Sequence, residues 1–142
     1  MKVSDIMTDR IVTVGQLETV TAAARLMKRH NLGALPVCDD TGRLRGMITD
    51  RDIATRCVAG ELDPGETLVR EIMSRGITTC RADMDVDEAV RTMGTEQVRR
   101  LPVMEGARVV GMVSLGDLAR SDLFSMEAAE AFGEISSNIL RK

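Results

Sequence analysis

Gly46-Met47-Ile48-Thr49-Asp50-Arg51-Asp52 returns later in the chain as Gly111-Met112-Val113-Ser114-Leu115-Gly116-Asp117. Each stretch carries apolar residues into a hydroxyl side chain that is followed three positions on by an acid, the pattern of a strand entering a capped helix. Working outward, Arg43 matches Arg108 and Ala54 matches Ala119 at the same spacing. Upstream of the turn, Leu35-Pro36-Val37 matches Leu101-Pro102-Val103, Ala23 matches Ala89, Val20 matches Val86, Thr13 matches Thr79, Ile6-Met7 matches Ile72-Met73 and Val3 matches Val69. The spacing changes by one residue where Asp39-Asp40-Thr41-Gly42 faces the shorter Glu105-Gly106-Ala107, a loop, where chains tolerate insertion. An internal duplication decides the architecture before any single motif does. Two similar units are expected to pack about a pseudo-twofold axis, and function is expected in the two related clefts this creates.

One repeat read in order gives β-α-β-β-α. Residues 11–14 form a short β-branched run suited to a buried strand. Thr19 opens a helical pattern with Val20, Ala23, Ala24 and Met27 on one face, closed by residues 31–33. Strands follow at 34–38 and 44–48, joined by the Asp-rich turn, and a helix at 50–59 ends the unit. The second copy repeats the order at 77–80, 85–94, 100–104, 109–113 and 115–120. The fold class is therefore α/β (α+β): two β-α-β-β-α repeats packed through their sheets, with repeat 1 at 1–60, a linker at 61–66 and repeat 2 at 67–121. Residues 122–142 form a C-terminal amphipathic helix, with Phe124, Ala128, Ala131, Phe132, Ile135 and Ile139 as a stripe opposite Glu127, Glu130 and Glu134. That stripe suits docking on its own module or a dimer contact.

Composition narrows the function. The chain has 142 residues, 44% hydrophobic and 29% charged, which describes a globular protein the size of one ordinary domain. Two half-domains sharing one core are expected, neither stable alone. A net charge of -3 offers no field for a polyanion, so nucleic acid is not an expected partner. Asp5, Asp9 and Glu18 interrupt any apolar leader and no run is long enough to span a bilayer, so a cytoplasmic protein without a membrane partner is expected. Cys38, Cys57 and Cys80 are odd in number and lack ligand spacing, which argues for buried reduced thiols rather than disulfides or a metal. A single histidine, His30, at a helix end, and the absence of a P-loop or nucleophile constellation give no support for an enzyme.

The motif at 46–52 and 111–117 supports two chemistries. Thr49 with Asp52, and Ser114 with Asp117, make capping boxes worth about 1 kcal/mol each, which need no ligand. The same hydroxyl and helix amides could hold a phosphate, while the acid, an acceptor only, could take the two hydroxyls of a ribose. The two uses are compatible.

With Asp5-Ile6-Met7 and Glu71-Ile72-Met73 at the repeat entrances, Leu-Pro-Val in the second strand and Gly-x-x-[Thr/Ser]-x-x-Asp before the last helix, the duplicated unit resembles the CBS domain. Two in tandem look like a Bateman module, and residues 1 to 121 are similar to small stand-alone bacterial CBS-pair proteins, some responsive to hypoxia or stress. The resemblance implies a regulatory module binding AMP, ADP, ATP or S-adenosylmethionine as a regulatory ligand, with no catalytic cofactor. By the family pattern Thr49 and Asp52 in one site, and Ser114 and Asp117 in the other, contact phosphate and ribose. The base lies against Ile11, Val12, Thr13 and Val37, and against Ile77, Thr78, Thr79 and Val103. It also implies a homodimer and an effector protein that the chain does not name. The alternative is a ligand-independent dimerisation or partner-docking module.

Both phenylalanines lie in the C-terminal segment and there is no Trp or Tyr, so a purine would meet aliphatic walls and backbone amides. The ten methionines read as core filler. Arg51 stands where the second motif has Gly116, and Arg99-Arg100 stand where the first repeat has Gly33-Ala34. Arg51 and Arg100 are therefore the expected phosphate contacts, and the two sites are expected to bind unequally.

Overall fold

The computed structural model describes residues 1–119 and 133–135. They form two compact units, one of residues 12–77 and one joining residues 1–11 to residues from 78 onward. The first unit contains β1 (Val14–Gly15), α1 (Val20–His30), β2 (Ala34–Cys38), β3 (Leu44–Thr49), α2 (Asp50–Asp52) continuing as a π-helix over Ile53–Val58, and α3 (Val69–Ile72). The second contains a 3-10 turn (Val3–Asp5), β4 (Cys80–Arg81), α4 (Val86–Glu96), β5 (Arg100–Glu105), β6 (Arg108–Ser114) and α5 (Leu115–Ala119). Each has a three-stranded sheet in sequence order, parallel between its first two strands and antiparallel between the last two.

The expected order is present, with differences that have physical causes. The first strand of each repeat begins later than expected, at Val14 and at Cys80. Cys38 O accepts from Gln16 N at 3.0 Å, so alternate residues of β2 face β1, and the next donor in that row would be Pro36. Proline has no N–H, and the ladder stops there; Pro102 ends the β4 ladder in the same way. Thr19 caps α1 by accepting from Ala22 N at 3.2 Å, and left-handed Asn31 (φ 54°) closes it. Helix α4 runs past Gly94 to Glu96 and closes on left-handed Gln97 (φ 59°), because buried Gly94 packs inside the unit and does not end the helix. The helix expected at 50–59 is α-helical for one turn only.

The structure adds one element to each unit that the periodicity does not show, a helical turn at the entrance. Glu71 accepts from Leu68 N at 2.6 Å and Asp5 from Lys2 N at 2.8 Å, tightening these turns. The residues that follow pair with the edge of the last strand: Ser74 and Met47 exchange two backbone bonds of 2.9 Å, and Thr8 and Met112 exchange bonds of 2.8 and 2.9 Å. The entrance segment of each sequence repeat thus folds with the body of the other. Residues 3–8 cover β6, and residues 69–74 cover β3.

That exchange closes a core in each unit. Val14, Val20, Ala23, Leu35, Val37, Ile48, Val69 and Ile72 make one cluster; Val3, Val86, Ala89, Met93, Leu101, Val103, Val113 and Leu118 make the other. The expectation of a single shared core is therefore corrected. Val69 and Val3, borrowed across the sequence, are both fully buried and complete the two clusters. Ile135 joins the second cluster at 4% exposure and residues 133–135 are helical; the rest of the stripe, Phe124, Ala128, Ala131, Phe132 and Ile139, and Glu127 and Glu130 lie outside the described residues.

Cys57 and Cys80 are buried and Cys38 half-buried, all as free thiols. Burial pushes the Cys80 thiol up to about 11, and burial followed by the Asp39 charge raises Cys38. In the β2–β3 turn Asp39 accepts from Thr41 Oγ1 (2.6 Å), Thr41 N (2.9 Å), Arg43 N (3.0 Å) and Arg45 Nε (2.8 Å). These bonds, that from the Thr41 hydroxyl foremost, hold its carboxyl well below the usual range.

Candidate ligand-binding corners

Each unit turns sharply from its last strand into a helix at the duplicated motif. In the first, Thr49 Oγ1 accepts from Asp52 N at 3.0 Å while Asp52 Oδ2 accepts from Thr49 N at 2.9 Å. In the second, Ser114 Oγ accepts from Asp117 N and Asp117 Oδ2 from Ser114 N, both at 3.1 Å. Both motifs are reciprocal capping boxes. The strand delivers the hydroxyl residue in extended geometry (Thr49 φ −117°, ψ 163°), and the acid three positions on then points back at its amide.

The glycine that opens each motif has a packing role. A Cβ on Gly46 would lie 2.5 Å from Ser74 O, and one on Gly111 would lie 2.5 Å from Met7 Sδ and 2.9 Å from Thr8 O. The entrance segments run against the last strands at these points, and only glycine leaves the room.

Beyond the shared corner the two sites diverge. Asp52 is 9% exposed, and its second oxygen lies 3.7 Å from Arg56 Nε. Arg56 Nη1 donates to Ile72 O at 2.9 Å and lies 3.4 Å from Ser74 Oγ, so this guanidinium joins the motif acid to the entrance segment. Sequence reasoning missed Arg56, although its place four residues after Asp52 on a helix was the available signal. Asp50 Oδ1 accepts from Arg51 N at 2.8 Å, and both side chains are exposed. In the second unit Arg100 is exposed on β5 and pairs across the sheet with Ser114, the register at which the first unit pairs Ala34 with Thr49.

The expected base-contacting residues are placed unevenly. Val12 and Thr13 belong to the same unit as Thr49 and Asp52, and Thr78 and Thr79 to the same unit as Ser114 and Asp117, whereas Ile11 and Ile77 each fall in the opposite unit, at its boundary. Val12, Thr78 and Thr79 are half-buried and Thr13 is exposed. Val37 and Val103 are fully buried in the two cores, so only their backbone is available to a ligand.

A surface cavity of about 520 Å³ in the second unit is lined by Lys2, Ser4, Arg81, Asp83, Glu105 and neighbours, and by none of the residues expected to bind a ligand. Arg81 pairs there with Asp83 at 3.1 Å, and Lys2 with Asp85 at 3.6 Å. Among the described residues no group of three or more His, Cys, Asp or Glu side chains could hold a metal ion, and no helix is long and apolar enough to cross a membrane.

Comparison with known proteins agrees with the duplication. The CBS domain family model matches residues 3–59 and 69–123. The chain is 42% identical over 134 residues to the CBS domain-containing protein YhcV of Bacillus subtilis, covering 94% of each. It superposes on Hypoxic Response Protein I, solved with two coordinated zinc ions, with a TM-score of 0.78 at 42% identity, covering 84% of this chain and 98% of that one. The CBS domain pair of protein MJ0100, solved with 5′-methylthioadenosine and S-adenosyl-L-methionine, superposes with a TM-score of 0.76 at 31% identity, covering 89% and 98%. The family model over most of the chain and these relatives show that the chain belongs to the CBS domain family, as a tandem pair.

Proposed function

We propose that this CBS pair is a non-catalytic cytoplasmic regulatory module that senses adenosine-containing metabolites, AMP, ADP, ATP or S-adenosylmethionine, at its two capped corners and passes the state to an effector protein. The observation that carries the reading is the reciprocal pairing of Thr49 with Asp52 and of Ser114 with Asp117, which fixes a hydroxyl and an acid side by side at a helix start in both units. The hydroxyl serves phosphate and the acid serves ribose hydroxyls. Val12 and Thr13, with the Val37 backbone, and Thr78 and Thr79, with the Val103 backbone, flank the base. Ile11 and Ile77 adjoin them in sequence, and Arg51 and Arg100 meet phosphate. The occurrence of S-adenosyl-L-methionine and 5′-methylthioadenosine on the MJ0100 pair supports the ligand class, and the likeness to Hypoxic Response Protein I supports a stress-related role. A homodimer is the assembly this reading expects, as the family resemblance implies.

The second reading, a docking or dimerisation module without ligand, is favoured by the fact that each capping box satisfies its own hydrogen bonds. Thermal unfolding separates the two. A ligand at 100 times its dissociation constant adds about 2.7 kcal/mol of stability. The sensing reading expects such a rise with at least one adenosine ligand and its loss in Asp52→Asn with Asp117→Asn. No rise with any of them leaves the docking reading.

A further inference from the structure

We propose that the surface cavity of the second unit is a binding site for a free α-amino acid with an apolar side chain. This gives the module an input separate from the corners, and it does not depend on the sensing reading.

The place of the cavity in the fold sets it apart from the corners. Arg81 pairs with Met104 at the end of the β4–β5 ladder, one step beyond Cys80 and Val103, which are buried in the core. Glu105 pairs with Arg108 at the hairpin end of β6, and Ser114 ends that strand about 20 Å away. The other wall is the start of the chain. Ser4 N donates to Ala82 O at 3.0 Å and Val3 N to Met84 O at 2.9 Å, which fixes Lys2 and Ser4 beside the cavity. Its volume of about 520 Å³ is within the range of small-molecule sites.

The lining offers a contact for each part of such a ligand. Ala82 is buried and Met104 half-buried, an apolar floor for an aliphatic side chain. Asp83 holds Arg81 through Nε alone, at 3.1 Å; among the described residues the two terminal nitrogens have no partner and can take a carboxylate. Glu105 has no hydrogen-bond or ion-pair partner among the described residues, and its carboxylate can accept from an ammonium group. Lys2 adds a second cation. The Lys2–Asp85 and Arg81–Asp83 pairs are more than half exposed on both sides, worth little by themselves, so a ligand can share or replace them. Opposite charges around an apolar floor select a zwitterion: a plain carboxylate is repelled by Glu105, and a plain amine by Arg81 and Lys2.

The duplication supplies a control, because the fold does not demand these residues. The first repeat has Gly15 in place of Arg81, Leu17 in place of Asp83, Leu68 in place of Lys2 and Arg70 in place of Ser4. It keeps an acid only for Glu105, as Asp39, and that carboxylate is consumed by its own turn, accepting from Thr41, Arg43 and Arg45. The shorter turn after β5 closes on left-handed Gly106 (φ 62°) without such an anchor. Glu105 is left to line the cavity.

Amide chemical-shift mapping by NMR tests this on the full chain, titrated in turn with L-leucine, L-valine and L-methionine. Shifts are expected at Ala82 and Gly106 and not at Thr49 or Ser114, with a dissociation constant in the millimolar range. 4-Methylpentanoate, which lacks the ammonium of leucine, and 3-methylbutylamine, which lacks its carboxylate, should each bind about tenfold more weakly. Glu105→Gln and Arg81→Gln, both at exposed positions, should each weaken leucine about tenfold, with circular dichroism confirming their fold. No shift at Ala82 or Gly106 with any of the three amino acids overturns the proposal. Equal binding of leucine and either analogue overturns it too, as does an affinity that both substitutions leave unchanged. Whether ATP moves the amides of Thr49 or Ser114 is read in the same spectra and bears on the sensing reading alone.

Discussion

Gly46 and Gly111 hold the same register in their sheets, yet a methyl group added to each would meet different matter. At Gly46 the nearest atom is the carbonyl oxygen of Ser74, 2.5 Å away, with Met73 Sδ at 3.0 Å. At Gly111 the nearest is the thioether of Met7 at 2.5 Å, with the Thr8 carbonyl at 2.9 Å. A backbone carbonyl of a bridged entrance residue bars a methyl at both points, but more closely at Gly46 (2.5 Å) than at Gly111 (2.9 Å), where the nearer obstacle is a methionine tail that can turn aside. Two units with one fold are therefore not equally tolerant. The first is pinned by its entrance segment through backbone bonds and through Arg56, and the second by backbone bonds and a side chain with freedom to adjust.

Substitution at the glycines strains this contrast hardest. Gly46→Ala should cost about 3 kcal/mol and Gly111→Ala about half as much, since overpacking against backbone leaves no cheap relaxation. Urea unfolding measures both, and equal losses would remove the distinction between the units. A smaller effect is expected at the caps, where Thr49→Ala and Ser114→Ala should each cost about 1 kcal/mol in the absence of ligand. Matched costs would show that the corners are alike as structure and differ only in their charged neighbours.

The mildest test uses pH. The Cys80 thiol is raised from 9.0 to about 11 by burial. A group whose folded value is raised keeps its proton longer in the native state, so stability is intact below the unfolded value and falls as pH rises through this window. Cys80→Val, which installs the residue found at Val14 in the other unit, should flatten the fall between pH 9 and 11. An unchanged slope would assign the loss to other groups.

Much of this was legible in the chain. The offset of the copies located the helices and the two antiparallel ladders to within a residue or two, because helix caps such as Thr19, turns such as Asp39 to Gly42 and apolar periodicity are local properties. The capping boxes were legible for the same reason. The missed elements were short helical turns at 3–5 and 69–72, too brief for a periodic signal. The π-helical turn at 53–58 and the Arg56 contacts to Ile72 and Ser74 were missed because they depend on a segment far along the chain. Val37 and Val103 sit where the family pattern put them in their strands, but which face they present was decided by the two closed cores.

The sequence by itself determined that there are two homologous repeats, the order of the main strands and helices in each and what hydroxyl-acid chemistry each corner holds, since these follow from residue types at fixed spacing. Tertiary structure alone decided which segment completes which unit. Val3 and Val69 are equivalent in sequence, and equivalence cannot say that each is buried in the body of the other repeat. That choice belongs to the burial of long-range apolar surface and the two unpaired strand edges it covers, which no local pattern records.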